Sequence, residues 1–163
     1  MANILFLCTH NSARSVLGEA MLNYLAAKHR QDLRAFSAGS HATGTVHPLA
    51  LQVLAPLGLN LAAFRSKSWD EFRDAHAPPM RLVITVCDAA AAEICPYWPG
   101  EPVKAHWGYP DPSKVEGPEA VRLAAFELTR QALAYRLRQL VDLPLATMSD
   151  ASLRAALAEI TAS

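Results

Sequence analysis

The sequence predicts an α/β fold in which helices cover both faces of a parallel sheet. Short apolar segments of strand length alternate along the chain with longer segments whose apolar residues recur at helical spacing. The strand-like segments are mostly apolar, which is typical of strands that are buried on both faces of a parallel sheet. This alternation indicates βαβ units, in which a helix connects each strand to a parallel neighbour. We therefore expect a three-layer domain with a four-stranded sheet in the middle.

Four segments are predicted to form the strands. The run 4–7 is apolar and is bounded by polar residues. Segment 33–38 ends before Gly39, segment 81–87 is apolar and β-branched, and segment 103–107 follows as the fourth. Because parallel strands need long crossovers, the helical segments between them fit this assignment.

The predicted helices lie between and after these strands. Helical spacing of apolar residues predicts helices over 15–29, 48–57, 118–140 and 150–160. Pro48 suits a first-turn position, and Gly58 suits the C-terminal cap of the same helix. Ser149 suits the N-terminal cap of the last helix. The long helix 118–140 carries one apolar face, which consists of Val121, Ala125, Leu128, Ala132 and Tyr135.

Composition restricts the class of protein. Lys plus Arg and Asp plus Glu both number 15, so the formal net charge is zero. The chain therefore lacks the basic excess of a general nucleic-acid binder or of a polybasic membrane-surface protein. No apolar run approaches the length of a membrane span, and the N-terminus does not resemble a signal peptide. The three cysteines are too few and too dispersed for a secreted disulfide scaffold, so we expect a cytoplasmic protein.

The segment 8–15, Cys-Thr-His-Asn-Ser-Ala-Arg-Ser, is the most informative part of the sequence. A cysteine ends a buried strand, and Arg14 stands where a helix begins. Ligand sites of parallel sheets lie at the carboxyl ends of strands, and a loop that enters a helix directs backbone N–H groups at an anion. The guanidinium of Arg14 can hold two oxygens of a tetrahedral oxyanion. The residues predicted to bind the oxyanion are Thr9, His10, Asn11, Ser12, Ala13 and Arg14.

Cys8 is the predicted nucleophile of this loop. The positive end of the helix favours a thiolate, and Ser15 is placed to donate a hydrogen bond to the Cys8 sulfur. Asn11 suits a left-handed position that braces the loop. The alternative is a structural cysteine beside a surface arginine, and each of these is common alone. The joint pattern of strand, Cys-x5-Arg-Ser and helix favours the functional interpretation.

At these residues the chain resembles the low-molecular-weight protein tyrosine phosphatase superfamily. The loop 8–15 matches its phosphate-binding loop, 37–39 matches its second-strand ending, and Asp111-Pro112 matches its late acid motif. The resemblance implies a four-stranded parallel sheet flanked by helices. We accordingly expect one domain over 1–163, with a phosphatase-fold core over 1–141 and a C-terminal helical extension over 142–163.

Two branches use this fold: one hydrolyses phosphotyrosine and the other reduces arsenate with cysteine thiols. The stretch 106–112 resembles the arsenate reductases. Phosphatases of this fold usually place an aromatic residue directly after Asp-Pro, where this chain has Ser113 and Lys114. They also tend to carry Asp-x-Ser-Asn after the third strand, where 88–91 reads Asp-Ala-Ala-Ala. The resemblance therefore favours an arsenate reductase, and the alternative is a phosphatase that acts on phosphotyrosine or a small aryl phosphate through a phosphocysteine.

The reductase resemblance implies roles for the other two cysteines. Cys8 attacks arsenic, Cys87 attacks the adduct and releases arsenite, and Cys95 then carries the disulfide to an external thiol. The expected reductant is thioredoxin, or glutathione with glutaredoxin, and no bound cofactor is expected. The alternative is that Cys87 and Cys95 only pack in the protein, but the redox interpretation is favoured. A one-cysteine variant of the family replaces the internal relay with glutathione and glutaredoxin.

Asp111 is the expected general acid. Pro110 and Pro112 stiffen its loop, and a protonated Asp111 would donate to the departing oxygen. An aspartate in a turn is the plain alternative.

No metal site is predicted from the sequence. The six histidines show no metal-ligand spacing. Some reductases of this branch hold a potassium ion near the loop, at positions that match Asn11, Glu19, Ser37 and Ser68. Ser68 stands where an aspartate is usual, and Lys67 beside it is interpreted as a surface charge.

Two other classes of function fit parts of the pattern. A phosphocysteine carrier also places a cysteine after a first strand, but it needs neither Arg14 at this spacing nor an acid such as Asp111. A silent phosphate-binding module would not need Cys8, Ser15 and Asp111 together. The pattern therefore favours an enzyme.

Overall fold

A parallel sheet organises the part of the chain that the computed structural model describes, residues 1–92 and 98–163. The strands are β1 (Ala2–Cys8), β2 (Leu33–Gly39), β3 (Leu82–Thr85) and β4 (Val103–His106). They pair in the order β2-β1-β3-β4, and every pairing is parallel. The predicted four-stranded parallel sheet is confirmed. Because β1 lies between β2 and β3, the segments that follow all three strands meet at one edge of the sheet.

Helices and short 3-10 turns connect and follow the strands. Among the described residues the α-helices are α1 (Arg14–Lys28), α2 (Pro48–Leu54), α3 (Asp88–Ala92), α4 (Glu119–Val141) and α5 (Asp150–Ala162). The 3-10 turns are Ala55–Leu57, Leu61–Ala63, Trp69–Phe72 and Pro112–Lys114. Pro48 occupies the first turn of α2, and Gly58 adopts the left-handed conformation that ends the following 3-10 turn. Ser149 caps α5 by accepting a hydrogen bond from the Ser152 N–H, as predicted.

The two faces of the sheet are buried in two hydrophobic clusters. Side chains of a strand point alternately to opposite faces, so Ile4 and Phe6 join a large cluster with residues from α1, α2, α4 and α5. Leu5 and Leu7 join a smaller cluster on the other face, which includes Phe72 from a 3-10 turn. This double burial explains why the first strand is apolar at every position from 4 to 7.

Helix α4 turns a different face to the core from the one that the sequence emphasises. The predicted apolar face is largely exposed, with exposed fractions of 50% at Val121, 70% at Leu128 and 56% at Tyr135. The buried residues of α4 are Phe126, Leu133, Ala134, Leu137, Leu140 and Val141. Both sides of this helix carry apolar residues at helical spacing, so periodicity alone does not reveal the buried side.

Helix α5 packs into the large cluster. Leu153, Leu157 and Ile160 are buried there. The indole N–H of Trp107 donates to Thr161 Oγ1 at 3.0 Å. Arg81 donates to the carbonyl of Leu145 before this helix begins. In the described part of the chain, no helix has the length and apolar character needed to cross a membrane.

Candidate active site

The loop between β1 and α1 forms the centre of the site. Cys8 ends β1 and Arg14 begins α1, so residues 9–13 are the connection. Gly39 permits the loop to cross the end of β2, because a Cβ at this position would lie 2.5 Å from the Thr9 carbonyl oxygen. Within the loop His10 is exposed, Ser12 is half-buried and Ala13 is buried.

The peptide groups of this loop are oriented by the neighbouring segment 41–47. Three loop carbonyls accept hydrogen bonds from backbone N–H groups: Thr9 from His41 at 2.8 Å, His10 from Thr43 at 3.1 Å, and Ser12 from His47 at 2.9 Å. A trans peptide directs its C=O and N–H in opposite directions, and the described peptides are trans. The N–H groups of the residues that follow these carbonyls therefore face away from the segment. One of them, the Asn11 N–H, donates to Cys8 Sγ at 3.3 Å.

Asn11 braces the loop from inside. Its φ of 48° places it in the left-handed region, and its side chain is completely buried. The amide Nδ2 donates to Ser15 Oγ at 2.7 Å and to Ser37 Oγ at 3.0 Å. Its Oδ1 accepts from the Lys67 backbone N–H at 2.9 Å. The predicted bracing role is thus a tie between the loop, α1, β2 and the segment before the Trp69–Phe72 turn.

Cys8 lies buried against hydrogen-bond donors. Its Sγ is 2.8 Å from Ser15 Oγ, as the sequence suggested. Burial raises the pKa of the Cys8 thiol, whereas the hydrogen bonds from Ser15 and Asn11 lower it, and the effect of burial is the larger. The hydrogen bonds therefore stabilise the thiolate as expected, but the net pKa of Cys8 is raised and not lowered.

Arg14 and Asp111 face each other beside the loop. Arg14 Nη1 donates to the Tyr109 carbonyl at 2.9 Å, and Nη2 lies 3.5 Å from Asp111 Oδ2. Burial raises the pKa of Asp111, but hydrogen bonds from Ser113 and the charges of Arg14 and Lys114 outweigh it, so the pKa lies below its ordinary value. In this arrangement the lowered pKa favours the carboxylate form of Asp111, and its role as general acid stays a prediction.

Cys87 follows β3 and lies next to the loop. Its buried Sγ is 3.7 Å from Thr9 Oγ1 and accepts from the Ala90 N–H at 3.4 Å. Cys8 and Cys87 are both free thiols. The adjacency of β1 and β3 therefore brings Cys87 beside Thr9, the residue that follows Cys8. Cys95, the third predicted relay residue, lies outside the described residues.

Comparison with known proteins identifies the family of this chain. The family model described as low molecular weight phosphotyrosine protein phosphatase matches residues 3–156. The chain belongs to this family. It is 32% identical over 140 residues to an arsenate reductase of Halalkalibacterium halodurans. The aligned region covers 85% of this chain and 94% of that protein.

Two solved structures resemble the chain along most of its length. The crystal structure of arsenate reductase from Archaeoglobus fulgidus has a TM-score of 0.67 and 26% identity, and covers 86% of this chain and 99% of that one. A low molecular weight protein tyrosine phosphatase from T. tengcongensis has a TM-score of 0.67 at 22% identity, and covers 87% and 99%. The second likeness concerns the fold alone.

Sequence reasoning missed a buried ion pair beneath the phosphatase-family loop. Lys67 is 9% exposed, not a surface charge, and its Nζ lies 3.8 Å from Glu19 Oε1. Glu19 also accepts a hydrogen bond from Ser37 Oγ. No sequence signal distinguishes this lysine from an exposed one, because its partner lies far away along the chain.

The residues at the family's potassium positions do not fit a bound cation in this chain. The Lys67 ammonium already lies beside the Glu19 carboxylate. Ser68 supplies no carboxylate, and its hydroxyl accepts from the Asp70 N–H at 3.1 Å. The Oδ1 of Asn11 is occupied by the Lys67 N–H. The described residues contain no cluster of three or more His, Cys, Asp or Glu that could hold a metal ion.

Proposed function

We propose that this chain is an arsenate reductase that uses Cys8 as nucleophile and Cys87 as the second thiol. The relatives that carry this activity match most of the chain and support the choice of substrate. The observation that carries the redox chemistry is the position of Cys87, whose sulfur lies 3.7 Å from the hydroxyl of Thr9, the residue next to Cys8. Hydrolysis of a phosphate ester needs no second thiol at this place.

Binding and attack use the loop. The backbone N–H groups and the guanidinium of Arg14 hold the arsenate oxygens, and the positive end of α1 adds to the attraction. The Cys8 thiolate forms a bond to arsenic and a hydroxide or water leaves, so arsenic stays pentavalent in this step. The Ser15 hydroxyl and the Asn11 N–H stabilise the thiolate before attack.

The redox step follows on the adduct. The Cys87 thiolate attacks Cys8 Sγ, a Cys8–Cys87 disulfide forms, and the electron pair of the sulfur–arsenic bond passes to arsenic. Arsenic is reduced by two electrons and leaves as arsenite, while the two thiols are oxidised by two electrons. We assign Cys95 to the next exchange, in which it attacks Cys87, releases Cys8 and presents the disulfide to an external dithiol.

Regeneration needs a reductant that the chain does not contain. A thioredoxin, or glutathione with glutaredoxin, supplies the two electrons. Such donors keep thiols reduced in the cytoplasm, so we place the protein there, with resistance to arsenical compounds as its role.

Asp111 acts as the acid once the oxyanion is bound. Arsenate brings negative charge to Arg14 and competes with Asp111 for the guanidinium. Both effects raise the pKa of Asp111, because the carboxylate loses a cationic neighbour and gains an anionic one. Asp111 can then carry the proton that the departing oxygen requires.

The test supplies arsenate and NADPH with either a thioredoxin or a glutaredoxin system and follows NADPH loss. We expect turnover with at least one system, and Cys8→Ser abolishes it. With arsenate and no donor, the wild-type protein should lose two free thiols, whereas Cys87→Ser should lose none. If Cys87→Ser supports the same rate as the wild type with thioredoxin, Cys87 is not the second thiol.

The second candidate is a phosphatase for phosphotyrosine or an aryl phosphate. The position of Asp111 beside Arg14 favours it, since the same acid would protonate a phenolate. Brisk hydrolysis of an aryl phosphate, together with no arsenate turnover on either donor, would establish this function and reject the reductase.

A further inference from the structure

A buried chain of hydrogen bonds connects Cys8 to a carboxylate beneath the loop. Ser15 Oγ lies 2.8 Å from Cys8 Sγ. Asn11 Nδ2 donates to Ser15 Oγ at 2.7 Å and to Ser37 Oγ at 3.0 Å. Ser37 in turn donates to the carboxylate of Glu19. The chain thus runs from the nucleophile through α1 and β2 and back to α1.

When Cys8 is a thiolate, the groups that take part fix the direction of each of these hydrogen bonds. An amide nitrogen only donates, and a hydroxyl has a single hydrogen. Both serines accept from Asn11, and the hydrogen of Ser37 goes to Glu19. A Cys8 thiolate has no hydrogen to donate, so it accepts the hydrogen of Ser15. An ionised Glu19 only accepts, and it therefore keeps the Ser37 hydrogen away from Asn11. The charge of Glu19 sustains the arrangement that gives Cys8 its hydroxyl donor.

Lys67 contacts this chain of hydrogen bonds at two residues, Glu19 and Asn11. Its Nζ lies 3.8 Å from Glu19 Oε1 and donates to the Arg65 carbonyl at 3.0 Å. Its backbone N–H donates to Asn11 Oδ1 at 2.9 Å. The side chains of Lys67 and Glu19 are 8% and 17% exposed, so bulk solvent contributes little to neutralising either charge. The Arg65 guanidinium pairs with Glu71 instead.

We propose that the Lys67 ammonium is a tethered counter-ion of Glu19 that positions the oxyanion-binding loop and takes the place of a free cation there. Lys67 acts through Glu19 and Asn11, so we class it as a positioning residue. The inference rests on the proposed function only in taking Cys8 as the nucleophile. The reactivity of Cys8 in this protein should therefore not depend on added monovalent cations.

The test compares Lys67→Met, which removes the charge, with Lys67→Arg, which keeps it, and with Lys104→Met as an exposed control on β4. The readout is the pH profile of Cys8 alkylation by iodoacetamide in Cys87→Ser/Cys95→Ser protein, measured in choline, potassium or ammonium chloride at equal ionic strength. Because this readout uses no arsenate, it stays informative if the reductase proposal fails.

We expect Lys67→Met to raise the apparent pKa of Cys8 by about one unit, which lowers alkylation below that pKa about tenfold. Potassium or ammonium, but not choline, should restore part of the alkylation rate of Lys67→Met. Lys67→Arg and Lys104→Met should have the same profile in every salt as the Cys87→Ser/Cys95→Ser background protein. If Lys67→Met does not fold, the salt comparison on the background protein decides alone. A background profile that depends on potassium, or a folded Lys67→Met with an unchanged profile, overturns the proposal.

Discussion

Individual residues of the loop perform several tasks at once. Asn11 adopts a left-handed backbone, donates its N–H to Cys8 and bonds three further residues through its side chain. Asparagine tolerates this conformation better than most residues, so its presence at this position is explained by backbone geometry as well as by its amide. Sequence reasoning reached Cys8, Ser15, Asn11 and Arg14 because they are adjacent in the chain.

Asp111→Asn tests the charge of Asp111 at the scale of one residue. The pKa of Asp111 is depressed in the folded protein, so its ionised form stabilises the fold above the ordinary pKa of an aspartate. That contribution is lost as the pH falls through the lower folded value. We therefore expect the wild type to be more stable than Asp111→Asn at pH 7, and the difference to shrink below about pH 4. Urea unfolding at a series of pH values measures it.

Exchanging Asp70 for Asn provides the control for this measurement. Asp70 pairs with Arg73 at 2.7 Å, but its side chain is 65% exposed. Exposed pairs contribute only about 0–1 kcal/mol, so the control should show a smaller dependence on pH. A stability difference for Asp111→Asn that grows in acid would mean that Asp111 is protonated in the folded protein.

At the scale of the elements, the sequence predicts correctly those features that depend little on tertiary packing. Each predicted strand and helix exists with bounds within a few residues of the prediction, and β3 ends at Thr85 instead of at Cys87. The buried face of α4 differs from the predicted one because the helix has apolar residues on both sides, and packing against α1, α2 and α5 decides which side is buried. The same argument applies to Lys67, whose burial depends on Glu19 in another element.

A matched pair of substitutions in α4 tests which of its faces is buried. Leu137 is completely buried, whereas Leu128 is 70% exposed. Leu137→Ala should lower the free energy of unfolding by about 2–5 kcal/mol, because it leaves a cavity in the large cluster. Leu128→Ala should change it by less than about 0.5 kcal/mol. Chemical denaturation of both variants measures the contrast, and equal losses would mean that the helix is rotated relative to this structure.

At the scale of the whole molecule, the proposed anion site does not depend on a basic surface. Its formal net charge is zero, yet the loop gathers backbone N–H groups, the positive end of α1 and Arg14 in one place. Such a site attracts an oxyanion through local, partly buried dipoles, which salt screens less than it screens surface charges. Zero net charge is therefore compatible with the small anionic ligand that the loop predicts.

This local binding predicts how the stability of the entire fold responds to phosphate, a stable analogue of arsenate. A ligand that binds only the folded state at a hundredfold excess over its dissociation constant adds about 2.7 kcal/mol. For a domain of this size, that corresponds to a rise in Tm of roughly 5–10 °C. Arg14→Ala should lose most of the rise, whereas Arg138→Ala, an exposed arginine on α4, should keep it. Thermal melts in phosphate against chloride of equal ionic strength measure both, and an undiminished rise in Arg14→Ala would place the anion outside the loop.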